Sequence, residues 1–176
     1  QLALSFFRSF ETPVGIIRPF NTYGPRQSAR AVIPSIITQL ASGKNEIELG
    51  SLSPTRDFTY VEDTVNGFIC GLENKNIIGE TVNLGSNFEI SIKSLSEEIA
   101  NLMEKKIIIK SDEKRFRPKK SEVDRLLSKN EKAKKLLNWS PLHNGLDGLI
   151  NGLKITIDWY TNKKNLSHYK TSIYNI

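Results

Sequence analysis

The sequence predicts an α/β protein, on three observations. Apolar residues recur at helical spacing in several separate stretches, and short extended apolar runs lie between them. One such run, Val14-Gly15-Ile16-Ile17, breaks into the polar loop Arg18-Pro19-Phe20-Asn21-Thr22-Tyr23-Gly24-Pro25. A buried strand that ends in such a loop is where open parallel α/β sheets place their ligands.

Leu2 to Arg8 predicts an opening helix that stops near Glu11-Thr12-Pro13, and Val14 to Arg18 the strand after it. The first residue is Gln1, and no Ser, Thr, Asp or Asn caps the helix, so the chain is expected to be the C-terminal part of a longer protein. Ile33, Ile36, Ile37 and Leu40 predict a second helix, with Pro34 in its first turn and Gly43 at its stop. Glu46 to Leu49 is a short strand closed by Gly50. Val65, Phe68, Ile69 and Leu72 mark a third helix with Asp63 as its N-cap, and Glu80 to Gly85 is a strand running into a glycine loop. Ser94-Leu95-Ser96-Glu97 has the capping-box pattern ahead of Ile99, Leu102 and Met103. Ile107 to Ile109 is the next strand. Ser128-Lys129-Asn130-Glu131 is a second capping box for a helix ending at Asn138-Trp139-Ser140-Pro141. Leu146, Leu149, Ile150, Leu153 and Ile157 form a last amphipathic helix up to Tyr160. From Thr161 the tail is polar and expected to fray. No internal repeat or long linker interrupts the chain.

Composition narrows the function. No apolar run approaches the roughly 18 residues of a membrane span, and no signal peptide opens the chain. The one cysteine, Cys70, excludes an internal disulfide framework and suits a reducing cytoplasm. His143 and His168 stand alone, without metal spacing. The net charge of +6 is uneven: residues 105–135 hold 13 Lys and Arg against 5 Asp and Glu, and the rest of the chain is slightly acidic. Such a segment can meet nucleic acid or an anionic ligand, or simply be a solvated face.

Four places carry candidate chemistry. In the first loop, the ring of Pro19 can offer a flat apolar surface to a cofactor ring, and Asn21 offers a donor and an acceptor to a phosphate or hydroxyl. The same residue types also build a plain turn. Arg56, in Pro54-Thr55-Arg56-Asp57-Phe58, can grip a diphosphate bidentately or form a surface pair with Asp57. Asn83 closes a strand beside Gly85. Lys114-Arg115-Phe116-Arg117-Pro118-Lys119-Lys120 interleaves cations with an aromatic, as a nucleic-acid patch would.

Taken together and in order, these motifs resemble the nucleotide-sugar epimerases and dehydratases, the extended short-chain dehydrogenases. The likeness runs from Gln1 to about Tyr160. It rests on the Arg18-to-Pro25 loop, the run Arg56-Asp57-Phe58-Thr59-Tyr60-Val61-Glu62-Asp63, Val82-Asn83-Leu84-Gly85, the Arg117-Pro118 pair, and Trp139 with Pro141. Ser128, where Asp is usual, and Asn138, where Gly is usual, depart from it at expected helix ends. The stretch Asn21 to Pro34 is similar to the 4,6-dehydratases that start legionaminic-acid-type sugar synthesis, a route to surface polysaccharide.

The resemblance implies the C-terminal part of a Rossmann-type doubly wound parallel sheet plus a smaller mixed α/β substrate lobe. Residues 1–20 and 58–86 would be the remnant of the NAD-binding domain, 21–57 and 87–160 the nucleotide-sugar lobe, and 161–176 a polar tail. It places Pro19 and Phe20 beside the nicotinamide of NAD. It assigns Asn21, Arg30, Ala31, Val32, Arg56, Asn83 and Arg117 to a nucleotide-diphosphate sugar, with Arg26 a further phosphate ligand. The intact enzyme would be a cytoplasmic homodimer without nucleic acid or membrane as partner. It would oxidise C4, eliminate water across C5–C6 and return the hydride to C6. A 4-epimerase or decarboxylase of the same family is the nearest alternative, and a non-catalytic basic nucleic-acid-binding module the alternative of another class.

No catalytic residue is assigned to this chain, because its two apparent motifs fail. Tyr160-Thr161-Asn162-Lys163-Lys164 has the Tyr-x-x-x-Lys spacing but sits at the end of the last helix. Gly145, Gly148 and Gly152 follow no strand. By itself the chain is expected to be inactive and to fold poorly, with Phe6, Phe7 and Ile16 uncovered.

Overall fold

The structure, a computed structural model, describes residues 2–112, 115–116, 121–167 and 169. They divide into two compact units, the first comprising 1–22, 57–89 and 127–149, the second 23–56, 90–126 and 150–176. Three strands, β2 (Asn21–Tyr23), β4 (Thr55–Tyr60) and β6 (Glu89–Ser91), each begin in one unit and end in the other. Parallel pairing and interleaved helices make this the expected α/β protein.

In the first unit, α1 (Leu2–Phe10) leads to β1 (Ile16–Pro19), which pairs in parallel with β5 (Thr81–Leu84). Ile17 faces Val82, and Pro19 faces Leu84. Helix α3 (Val61–Glu73) follows β4, and a 3₁₀ turn (Lys75–Ile77) precedes β5. Ile77, Val82 and Leu84 form a core with Ala133 and Leu137 of α5 (Glu131–Leu137) and with Trp139. Asn138 ends α5 in the left-handed conformation (φ 54°), as its amide side chain allows.

Helix α3 turns its stripe outward. Val65, Phe68, Ile69 and Leu72 are exposed, whereas Asp63, Thr64, Gly67 and Gly71 are buried. The glycines explain this: a Cβ on Gly67 would lie 2.3 Å from Leu84, and one on Gly71 2.5 Å from Ile17. Only a face of small residues fits so close to the β1–β5 pair. Of the three residues expected to be uncovered, Phe6 is 48% exposed, while Phe7 and Ile16 are partly buried.

The second unit is built on a parallel pair of β3 (Glu46–Leu49) and β7 (Ile108–Ser111), Ile47 facing Ile109. Helix α2 (Val32–Ala41) packs on β3 and on α4 (Ile92–Leu102); Ile33, Ile36, Ile37 and Leu40 of α2 are buried, as are Leu95 and Ile99 of α4. The Gln39 amide donates to the carbonyl of Glu48 at 3.3 Å and accepts from its N–H at 2.9 Å, so a side chain serves this strand as a partner. Strand β8 (Arg125–Leu126) pairs with Thr55 and Arg56. Helix α6 (Gly145–Thr161) spans the boundary, and α7 (Lys163–Leu166) follows it, so the tail expected to fray starts with a helical turn.

The three expected caps are corrected. Asp63 lies inside the first turn of α3, which Tyr60 precedes; its carboxylate accepts from the backbone N–H groups of Leu142 and His143, both at 2.9 Å. Ser91, not Ser94, caps α4, accepting the N–H of Ser94 at 3.0 Å. Ser128 caps nothing, because its hydroxyl is drawn to Asp57, and α5 starts after Asn130. A Ser in a capping pattern is equally able to satisfy a buried carboxylate, and tertiary packing decides which.

Trp139 is 1% exposed, and its indole N–H donates to the carbonyl of Asp63 at 3.1 Å. Trp139→Ala therefore creates a cavity and an unpaired carbonyl. Urea denaturation of the protein that carries this chain is expected to show a loss of about 3–5 kcal/mol.

Candidate functional site

In the first unit the predicted loop forms where the parallel pair ends. Arg18 faces Asn83, Pro19 faces Leu84, and the N–H of Phe20 donates to the carbonyl of Leu84 at 2.8 Å. Pro19, Phe20, Asn21 and Asn83 thus come together at the C-terminal end of β1 and β5, the ligand-binding end of open parallel sheets. Pro19 is exposed and Phe20 half-buried, so the strand end offers an apolar surface. The Asn21 amide donates one N–H to the carbonyl of Asp57 at 3.0 Å, which orients the side chain and leaves a second N–H and Oδ1 for a ligand.

Beneath this end lies a buried carboxylate that sequence reasoning missed. Asp57 is fully buried. Its Oδ1 accepts from the Ser86 N–H and hydroxyl, both at 2.7 Å. Its Oδ2 accepts from the Ser128 hydroxyl at 2.7 Å and from the N–H groups of Asn87 and Ser128, both at 3.1 Å. Asn130 clasps the Gly85 peptide from both sides, donating to its carbonyl at 2.6 Å and accepting its N–H at 3.3 Å. A Cβ at Gly85 would sit 2.1 Å from the Ser128 hydroxyl, so only glycine allows the loop after β5 to close on this network. The partners stand 29 to 71 residues from Asp57, beyond any local pattern. The only signal was a carboxylate inside an otherwise aromatic and β-branched run.

Nearby, Asp63 also lies 3.2 Å from Nδ1 of His143, whose ring packs against Tyr60 at 4.5 Å between centroids. Burial, followed by the charges of Glu62 and Asp63, raises the Tyr60 phenol above its usual range.

The second unit holds the other predicted positions. Arg56 does not pair with Asp57: it donates to Glu122 at 2.7 Å and to the carbonyl of Thr55 at 2.8 Å, and its side chain is largely buried. Two of its five N–H donors are used, and the guanidinium is held in one orientation. Ala31 is the N-cap of α2 without a side-chain cap, and Val32 is its first residue, so the positive end of a ten-residue helix is capped by no side chain there. Arg30 is exposed on the preceding loop, its N–H reaching the Ser28 hydroxyl at 3.4 Å. Arg26, also exposed, has φ of 66°. Arg117 lies outside the described residues.

Within the basic cluster, Arg115 contacts Asp112 at 3.0 Å, Ser35 at 3.2 Å and Glu48 at 3.4 Å. Its charge is spent inside the unit. Tyr160 and Lys164 do not share one helix: α6 stops at Thr161, Tyr160 is buried, and Lys164 is exposed in α7. Among the described residues, no three His, Cys, Asp or Glu side chains gather as a metal site would require, and no helix is long and apolar enough to cross a membrane.

Comparison with known proteins bears on this arrangement. The family model described as GDP-mannose 4,6 dehydratase matches residues 1–150. The chain is 33% identical over 152 residues to the uncharacterized UDP-glucose epimerase YtcB of Bacillus subtilis, covering 86% of this chain and 46% of that protein. It is 33% identical over 170 residues to human dTDP-D-glucose 4,6-dehydratase, covering 94% and 46%. Among solved structures, UDP-glucuronic acid 4-epimerase from Bacillus cereus, in complex with UDP-glucuronic acid and NAD, superimposes with a TM-score of 0.80 at 28% identity, covering 96% of this chain and 50% of the other. The chain spans about half the length of the curated relatives it matches.

The Asp57 network yields a direct test. Asp57→Asn would turn an N–H₂ toward groups that themselves donate, leaving buried donors unpaired. The expected result is a loss of about 3 kcal/mol or more in urea denaturation. Asp57→Glu, which keeps the charge but misplaces it, is expected to recover only part of that loss.

Proposed function

We propose that this chain, which belongs to the family of NAD-dependent nucleotide-sugar dehydratases and epimerases, supplies the nucleotide-sugar-binding residues of a 4,6-dehydratase. The observation that carries this reading is the meeting of Pro19, Phe20, Asn21 and Asn83 at the C-terminal end of two parallel strands. The substrate class is a nucleotide-diphosphate sugar, with a nucleotide-linked N-acetylglucosamine the specific assignment, as in legionaminic-acid-type synthesis. A single cysteine fits a cytoplasmic enzyme, and the family likeness fits a homodimer.

The exposed ring of Pro19 and the half-buried Phe20 fit the apolar face of a nicotinamide. Bound NAD supplies hydride acceptance at C4 and hydride return to C6. A ketone at C4 makes the C5 proton acidic, so water can leave across C5–C6. The work of this chain is binding and orientation. Asn21 and Asn83 offer amide donors to phosphate or sugar oxygens. Arg30 and the N–H groups at the start of α2 meet negative charge on the nucleotide, as Arg56 and Arg117 do on the diphosphate. Glu122 holds the Arg56 guanidinium ready, so the group needs no reorganisation on binding. We assign no residue of this chain to proton transfer, and the 176-residue chain alone is expected to turn over no nucleotide sugar. A 4-epimerase or decarboxylase would use the same binding residues and differ in its acid and base.

Arg56→Lys tests the reading. A lysine keeps the charge but loses the planar fork, and affinity for UDP-N-acetylglucosamine, measured by calorimetry on the protein that carries this chain, is expected to fall at least about tenfold. Unchanged affinity would remove Arg56 from the site. Tight oligonucleotide binding that weakens steeply with salt, without competition from UDP-sugars, would replace the whole reading with a nucleic-acid module.

A further inference from the structure

The loop from Gly24 to Ala31 consists of two short turns. The N–H of Gln27 donates to the carbonyl of Gly24 at 3.4 Å, and the N–H of Ala31 to that of Ser28 at 3.0 Å. Between them, the carbonyl of Gln27 points to the far end of the chain. The Tyr160 hydroxyl donates to it at 2.5 Å across 133 residues, and the Tyr169 hydroxyl lies 3.4 Å from the same oxygen. Tyr160 is fully buried at the end of α6. Asn165 closes that helix by donating to the carbonyl of Trp159 at 2.9 Å, and the chain then turns back so that Tyr169 packs edge-on against both Trp159 and Tyr160.

We propose that Tyr160 is a positioning residue for nucleotide binding, its hydroxyl latching the Gln27 carbonyl and so setting the loop that delivers Arg30 and the start of α2 to the phosphates. The inference rests on the reading of Arg30, Ala31 and Val32 given above. Three observations support it. Arg26, next to the latched residue, sits in the left-handed region at φ 66°, a conformation that persists only where the surroundings over-determine it. The turns on either side close on themselves, and the Gln27 carbonyl between them is where a distant element grips the loop. Burial, with the neighbouring Tyr169 hydroxyl, raises the Tyr160 phenol far above its usual range, so the donor stays protonated. The Tyr-x-x-x-Lys spacing at Tyr160 thus hides another role, in which the phenol acts through a loop rather than on a substrate.

Tyr160→Phe keeps the ring and removes the latch. In the protein that carries this chain, amide hydrogen exchange at residues 26–32 is expected to speed up about tenfold, as loss of one buried hydrogen bond implies. Affinity for UDP, used as the probe, should fall, by up to about tenfold, because a competent loop is populated less often, and the urea midpoint should drop by no more than the loss of one hydrogen bond accounts for. Unchanged exchange overturns the latch. Faster exchange with unchanged UDP affinity overturns its positioning role, and Arg30→Ala then separates the causes. If that variant weakens UDP binding, the nucleotide reading stands and only the latch fails; if it does not, the reading of the loop fails with it. Should Tyr160→Phe not fold, Tyr169→Phe decides. Faster exchange at 26–32 with about twofold weaker UDP binding supports the latch, and no change in either overturns it.

Discussion

A carboxylate without access to water organises the first unit. Burying Asp57 would be prohibitive if its charge were left alone, since an isolated carboxylate loses its hydration and gains nothing in return. Five donors from Ser86, Asn87 and Ser128 surround it instead. Those donors belong to the loop that leaves β5 and to the segment that leads into α5, so the charge can be satisfied only when both segments are in place. The strand end that gathers Pro19, Phe20, Asn21 and Asn83 is built on this condition, because Asn21 takes its orientation from the Asp57 carbonyl and Gly85 closes directly over the network. The lost solvation is converted into a defined geometry at the surface where a ligand would bind.

Neighbouring residues in a strand serve different partners, and Arg56 and Asp57 show the consequence. In sequence they look like an ion pair. In β4 their side chains leave on opposite faces, one to Glu122 and the other to the serine network. An arginine fixed by a partly buried glutamate keeps donors to spare for the diphosphate proposed above. The residues proposed above to bind the nucleotide sugar share that feature. Asn21 is oriented by a backbone carbonyl, Arg56 by Glu122, and the loop before α2 by a tyrosine hydroxyl from the last helix. Orientation set in advance makes binding less costly, because little order remains to be imposed by the ligand.

Legibility followed the length of the signal. Helices α2, α4 and α6 carry repeating apolar faces and were readable from spacing alone, as was the parallel core strand Val82 to Leu84. Strand β4 was not, because Asp57 and Thr59 are polar yet fully buried, which erases the alternation that marks a half-buried strand. The stripe on α3 was real but pointed outward, since Gly67 and Gly71, invisible to a count of apolar residues, are what the helix buries. The capping patterns at Ser94 and Ser128 misled because a serine hydroxyl serves a helix end and a buried carboxylate equally well.

The α/β class, the order of the principal helices and the family could all be read from the chain before it folds, because these rest on periodicity and on short motifs whose residues are adjacent. So could the grouping of Pro19, Phe20 and Asn21 on one loop and the place of Arg56 shortly before a helix. Which polar groups meet is a property of the packed molecule: Asp57 with Ser128 across 71 residues, Arg56 with Glu122 across 66, and Tyr160 with Gln27 across 133. A hydrogen bond needs its partners within about 3 Å in space. Distance along the chain carries no information about that until the core has packed.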